Sequence, residues 1–368
     1  MAWTAITVAL SCSQGCTPRG WTTREQVIIA SLTSLPPPAP RPSNRYADDP
    51  AAAALGRRLF EDAGFSVNGQ VSCATCHDPA RHFTDGLPVP NTLGKGRRNV
   101  PSVETVAWQT WFFWDGRADS GWSQATGPLT NPIEMGATPA SVAAHVRRTY
   151  AAEWATVFGE DVVEAGADDL RVLAQVGKAI EAFERTLSPG EARFDRWAAE
   201  LAAGRESDLL NDVEQRGLRL FIGDAACVSC HGGPLFTDHS FHTLGLPQVP
   251  QGGMDIGRVL GATQVLHDPL NCAGAYSDTE TCPELRYLDP SFPDWAGAFK
   301  TPGLRNVTAT APYTHDGAIP TLDAMLMFYD QLPGRPLMGH REFTLAPLCL
   351  SDGDREAIIA FLGTLDGV

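Results

Sequence analysis

The sequence predicts a mainly α fold in which two domains of one design stand in tandem, joined by long loops. Three observations carry that reading. The first is an internal repeat. Gly56-Arg57-Arg58-Leu59-Phe60, Cys73-Ala74-Thr75-Cys76-His77 and Phe83-Thr84-Asp85 return in the same order as Gly217-Leu218-Arg219-Leu220-Phe221, Cys227-Val228-Ser229-Cys230-His231 and Phe236-Thr237-Asp238. The second is apolar spacing at helical period between and after these blocks, with no sustained strand alternation. The third is the content of 35 Gly and 28 Pro, which suits short helices with long connections.

Taken in chain order, Ala2 to Leu10 is an apolar run too short to span a membrane. With Cys12 and Cys16 behind it, it looks like the end of a secretion signal, and a lipid on one of these cysteines fits the pattern. No Lys or Arg precedes the run, so as a signal it is incomplete. Pro36-Pro37-Pro38-Ala39-Pro40-Arg41-Pro42 reads as a stiff tether. Residues 1–45 are therefore assigned to signal-like segment and tether, with folding expected from about Tyr46. The first domain is expected over 46–205 and the second over 206–368. Asp168 or Asp169 can cap a helix carrying Leu173, Val176, Ile180, Phe183 and Leu187, which ends at Ser188-Pro189. A second helix carries Phe194, Trp197 and Leu201. The last runs from about Asp354 with Ile358, Phe361, Leu362 and Leu365 on one face.

Each Cys-x-x-Cys-His block reads as a c-type haem attachment site. Cys73 and Cys76, and likewise Cys227 and Cys230, would each bind one porphyrin through its vinyl groups. His77 and His231 would be the proximal iron ligands. A zinc site, the competing reading, wants its four ligands in another pattern. The fold class sharpens to two cytochrome c-like haem domains in tandem with long loops, carrying two covalent haem c groups. A net charge of −15 argues against a nucleic-acid partner and suggests that a redox partner docks through a basic surface. Cys272 and Cys282 are close enough for a short-loop disulfide, with free thiols as the alternative; a disulfide would suit an oxidising compartment. Export to the periplasm or beyond is expected, more from the haem motifs than from the N-terminus. Cys349 is expected to be a buried free thiol.

A family resemblance comes into view in the remaining motifs. They are Arg98-Asn99-Val100-Pro101-Ser102, Phe113-Trp114-Asp115-Gly116-Arg117, the run from Gln124 to Met135 with Gly127-Pro128 and Asn131-Pro132-Ile133-Glu134-Met135-Gly136, Phe299 to Val307, and Ala311-Pro312-Tyr313-Thr314-His315-Asp316-Gly317. In this order, over about residues 50 to 365, they resemble the bacterial di-haem cytochrome c peroxidases and their relative MauG. The resemblance implies that the first haem is peroxidatic and the second handles electrons. It places Glu134 on the open distal side of the first haem as general base and then acid for hydrogen peroxide. Without the family, Glu134 is a solvated loop acid. Gln124 and Pro128 match other distal positions, the one able to hydrogen-bond peroxide or water, the other limiting the pocket. Trp114 matches the tryptophan between the haems and is a candidate electron relay; core packing is the alternative. Asn99, Thr310 and Pro312 match an inter-domain calcium site of side-chain and backbone oxygens, against ordinary loop hydrogen bonding by Asn99.

Two departures separate this chain from many such peroxidases. No histidine lies between Phe83 and Arg98 to block the first iron, and His82 is expected to stay on the proximal side. The first haem should thus be open or water-filled when ferric and need no reductive activation. Fourteen residues beyond His315, where the peroxidases place a methionine iron ligand, stands Tyr329, as in MauG. A phenolate favours ferric iron where a thioether favours ferrous. Met325, one helical turn away on the same face, is the rival ligand, while Met327 points elsewhere. Three functions compete. In the first, an oxidoreductase reduces peroxide with electrons from a small cytochrome c or cupredoxin. In the second, MauG-like chemistry oxidises aromatic residues on a protein substrate. The third is a non-catalytic di-haem carrier, against which Glu134 and the missing histidine both count. The resemblance also allows a homodimer.

Overall fold

The computed structural model describes residues 20–159, 168–246 and 254–367. The apolar run and Cys12 and Cys16 lie outside the described residues. The longer helices are α1 (Thr23–Ser31), α2 (Pro50–Glu61), α3 (Gly121–Thr130), α4 (Pro139–Thr149), α5 (Ala151–Phe158), α6 (Asp169–Glu184), α7 (Arg193–Ala202), α8 (Asp212–Ile222), α9 (Arg258–His267), α10 (Leu322–Gln331) and α11 (Asp352–Leu362). Among the described residues the only strands are β1 (Phe241–His242) and β2 (Phe299–Lys300), paired antiparallel. No described helix is long and apolar enough to cross a membrane.

Two apolar cores organise these helices. The first joins Leu55, Leu59 and Phe60 of α2 to Trp122 and Leu129 of α3, Val142 and Val146 of α4, and Leu173, Val176 and Ile180 of α6. The second joins Phe194 and Trp197 of α7 to Leu218 and Phe221 of α8, Phe236, Leu326, and Ile358, Phe361 and Leu362 of α11. Asp168 caps α6 by accepting from the backbone of Leu170 and Arg171. Ser351 caps α11, so that helix begins just before the expected Asp354.

The repeated glycine has a physical reason. A Cβ on Gly56 would lie 1.8 Å from the Ala179 carbonyl oxygen of α6, and one on Gly217 would lie 1.9 Å from that of Ala357 in α11. In both halves the helix entering the haem motif crosses its partner at backbone contact. Gly217→Ala should therefore force α8 and α11 apart and cost roughly 1–3 kcal/mol. The control Gly353→Ala has no atom nearer than 3.6 Å and should be neutral or mildly stabilising. Thermal melts of the two variants check this, and equal melting temperatures would refute it.

Several expectations are corrected. Residues 1–45 are not all outside the fold. Thr22 and Glu25 form a capping box, and Ile29 and Leu32 are buried in the second core. The proline-rich stretch is pinned to the first half: Trp108 Nε1 donates to the Pro36 carbonyl at 2.7 Å, and Arg41 donates to the carbonyls of Val106 and Gln109. Helix α7 packs in the second core. Cys349 is exposed, with left-handed φ. Cys272 and Cys282 do form the disulfide.

In the second half the described residues 258–282, with α9 and the disulfide, lie across the first half. Leu270 enters the first core. The Cys272 N–H donates to Asp119 at 2.8 Å, and Asp278 accepts from Lys178 Nζ at 2.7 Å. The two halves are clasped rather than merely adjacent.

Candidate functional site: two haem cradles of unequal design

Both Cys-x-x-Cys-His blocks begin in short helical turns, Cys73–Cys76 and Cys227–Ser229, that follow α2 and α8 along the chain. Cys73, Cys76, Cys227 and Cys230 form no disulfide. His77 Nδ1 meets the Phe83 carbonyl at 3.0 Å, and His231 Nδ1 meets the Phe236 carbonyl at 3.0 Å. Phe83 and Phe236 both take left-handed φ, +57° and +56°, to turn that carbonyl inward. The phenylalanine of the repeat is thus the residue whose backbone fixes the imidazole and its tautomer, leaving Nε2 to bind iron. Burial keeps both imidazoles neutral, as a metal ligand must be.

Space for the group is plain in the second half. A cavity of about 500 Å³ is lined by Cys227, Cys230, His231, Met325 and Tyr329, with Asn99 and Trp114 reaching it from the first half. His315 Nδ1 and Glu184 Oε2 are buried without a protein partner. His315 lines that cavity, while burial and then Glu184 raise the Cys73 thiol, and Glu184 is itself pushed up to about 8 by burial. Free thiols, an oriented imidazole and an apolar cavity fit haem c at the second block, and the same thiols and imidazole orientation recur at the first.

The distal sides differ. The bridge Phe112–Ala118 followed by α3 matches the bridge Tyr313–Ile319 followed by the equally long α10. Laying one on the other pairs Trp114 with His315, Gln124 with Met325 and Pro128 with Tyr329. Where the second half presents a phenol to its cavity, the first has a proline. That proline has no N–H, so the Gln124 carbonyl loses its helical partner. Tyr329 lies near Cys227 and Cys230, and burial pushes its hydroxyl up. Met325 lines the same cavity, whereas Met327 is exposed.

Glu134 is half-buried on the first side. Its carboxylate comes near both Cys73 and Cys76 although it is far away in sequence. Burial holds its carboxyl above the usual range, against the pull of Arg117 and of the Asn131 amide, which donates at 2.6 Å. Arg117 is fixed in turn by the Phe113 ring at 3.5 Å and by the Asp115 carboxylate at 3.0 Å. Arg98 takes the other Asp115 oxygen at 2.6 Å and pairs with Asp255. The sequence motifs contained Arg117 and Asn131 but gave them no role, because their partner emerges only in the fold.

Trp114 lies at the junction of the halves. Its Nε1 donates to the Asn99 carbonyl at 2.9 Å, and its carbonyl accepts from Lys300 N at 2.8 Å. Asn99, Thr310 and Pro312 line the same cavity, and the Asn99 amide donates to the Leu87 carbonyl. His82 makes a 3.2 Å contact with Glu104, which accepts from Asn306 of the second half. It is thereby engaged at the junction.

A helical chain with two Cys-x-x-Cys-His haem cradles is a di-haem c-type oxidoreductase. The chain belongs to the di-haem cytochrome c peroxidase and MauG family. The family model "Di-haem cytochrome c peroxidase" matches residues 50–203. The methylamine utilization protein MauG of Methylorubrum extorquens is 36% identical, over 86% of this chain and 78% of that one. The cytochrome-c peroxidase IdrP2 of a Pseudomonas species is 32% identical over 89% and 84%. Among solved structures, the diheme peroxidase BthA of Burkholderia thailandensis superposes with TM-score 0.71 at 27% identity, covering 91% of this chain and 90% of that one.

Proposed function

We propose that this protein is a di-haem peroxidase that activates hydrogen peroxide at the haem on His77 and draws electrons through the haem on His231 from a small cytochrome c or cupredoxin. The pairing of Pro128 with Tyr329 on matched helices carries the reading, because an open iron beside an acid is what peroxide needs. When bound, the haems supply the iron that receives peroxide oxygen and the capacity to hold oxidising equivalents. Glu134 takes the proton from the oxygen nearer iron and returns it to the oxygen that leaves as water. Asn131 fixes the direction of that carboxylate, and Gln124 offers an amide to the same space. Trp114 relays electrons between the halves, while Tyr329 closes the second iron. Asn99 and the carbonyls of Thr310 and Pro312 would hold a calcium ion at the junction. Export to an oxidising compartment accords with the Cys272–Cys282 disulfide.

Tyr329 gives the second reading its weight. A phenolate-closed haem suits storage of oxidising charge, as MauG-like oxidation of a protein substrate requires. A pure electron carrier would have no use for Glu134 over an open site. Stoichiometric peroxide added to the all-ferric protein, with no prior reduction, should be consumed within turnovers when reduced donor cytochrome is present. A long-lived oxidised state that donor discharges only slowly would sink the peroxidase in favour of protein oxidation. The same assay after EGTA treatment should be slower; an unchanged rate would remove calcium.

A further inference from the structure

We propose that Arg258 is an electrostatic plug that keeps oxidising charge from leaking out of the inter-domain tryptophan to the protein surface, a role that rests on the peroxide reading above. Arg258 is 1% exposed. Its guanidinium carbon lies 4.1 Å from the ring centroid of Trp111, 4.2 Å from that of Phe241 and 5.2 Å from that of Trp295. Nη1 donates to two backbone carbonyls, Asp115 at 3.2 Å and Gly116 at 2.6 Å. The Asp115 carboxylate is held by Arg98 and Arg117, and among the described residues no carboxylate pairs with Arg258. Burial pulls its pKa down to about 10, so the cage still holds a full positive charge at neutral pH.

The caged rings lie beside Trp114 in the fold. Lys300 ties Trp114 to Trp111: its N–H donates to the Trp114 carbonyl at 2.8 Å and its Nζ to the Trp111 carbonyl at 2.7 Å. Trp295 shares Arg258 with Trp111 and meets Phe292, which is 46% exposed, edge-on at 5.4 Å. An indole that loses an electron carries positive charge until its N–H proton leaves. A guanidinium against the ring face steadies the neutral ring and repels the oxidised one, strongly so away from water. Among the described residues no Lys or Arg is stacked on Trp114. Oxidation is therefore easier at Trp114 than at Trp111 or Trp295. Arg258 acts through the rings it touches and is a positioning residue, not a catalytic one.

Two oxidants test this separately from the peroxide reading. Haem-loaded ferric protein receives hydrogen peroxide in one arm. In the other, a photogenerated ruthenium(III) polypyridyl complex takes one electron from tryptophan and becomes ruthenium(II). The indole proton passes to water, and dissolved dioxygen adds to the ring radical. Peptide mass mapping then locates the added oxygen. Wild-type protein should stay unmodified at Trp111 and Trp295 in both arms. Arg258→Met, which fills the cage without charge, should raise oxidation there by at least about tenfold. Arg258→Lys, which keeps the charge, should remain near wild type. Wild-type protein already oxidised at Trp111 and Trp295 would overturn the plug without any variant. A folded Arg258→Met protein with no added oxidation under ruthenium(III) would overturn it too. A wild type inert to peroxide but protected under ruthenium(III) would strike the peroxide reading and leave the plug standing.

Discussion

Glu134→Gln is expected to slow peroxide activation by roughly 10²–10⁴-fold, the range over which a positioned acid–base group acts. Glutamine keeps the shape and still accepts from Asn131, so packing and peroxide access should survive while proton transfer is lost. The pH profile gives a second, independent readout. Burial raises the Glu134 carboxyl above the usual glutamate value despite Arg117 and Asn131. Only the ionised form can accept the peroxide proton. Activation should therefore be full above that raised pKa and fall as pH drops through it, with a midpoint higher than an ordinary glutamate would give. The variant should lack this acid limb altogether. Stopped-flow spectra of the ferric haem mixed with peroxide measure both. An acid limb unchanged in Glu134→Gln would assign it to another group.

Much of this architecture is legible in the sequence because its signals are local. The haem blocks, the cap at Asp168, the apolar faces of the helices and the Cys272–Cys282 pair each depend on residues a few positions apart. The repeat was visible too, but its meaning was not. Gly56 and Gly217 are explained only by the carbonyls of Ala179 and Ala357 that approach them, and Phe83 and Phe236 only by the imidazoles that their carbonyls orient. The helix at Thr23–Ser31 carried a readable capping box at Thr22 and Glu25, overridden by the leader-like residues ahead of it. Arg117 over Glu134, and the cage of Trp111, Phe241 and Trp295 around Arg258, unite separate loops through the fold, so no spacing rule could announce them. The symmetric motifs suggested equal haems. The inequality resides in one matched position, proline in α3 and tyrosine in α10.

That position is where the second large effect is expected. Tyr329→Met should raise the potential of the second haem by on the order of 0.2–0.4 V, part of the roughly 0.8 V span that axial ligands command. The sign follows from charge. Inside the protein the Tyr329 hydroxyl resists ionisation, its burial pushing its pKa up, so it becomes a phenolate only by binding a cation. A phenolate on ferric iron stabilises the oxidised state, and reduction must give up that attraction. A thioether carries no charge and prefers ferrous iron, so reduction becomes easier. The substituted protein should then accept electrons from donor cytochrome faster and hold oxidising equivalents for a shorter time, which favours peroxidase turnover over any protein oxidation. Spectroelectrochemical titration of the two haems measures the shift. Met325 lines the same cavity and provides the decisive control. If Met325 were the ligand, Tyr329→Met would leave the potential in place and Met325→Leu would move it. If Tyr329 is the ligand, Met325→Leu should change the potential little, and only Tyr329→Met should shift it.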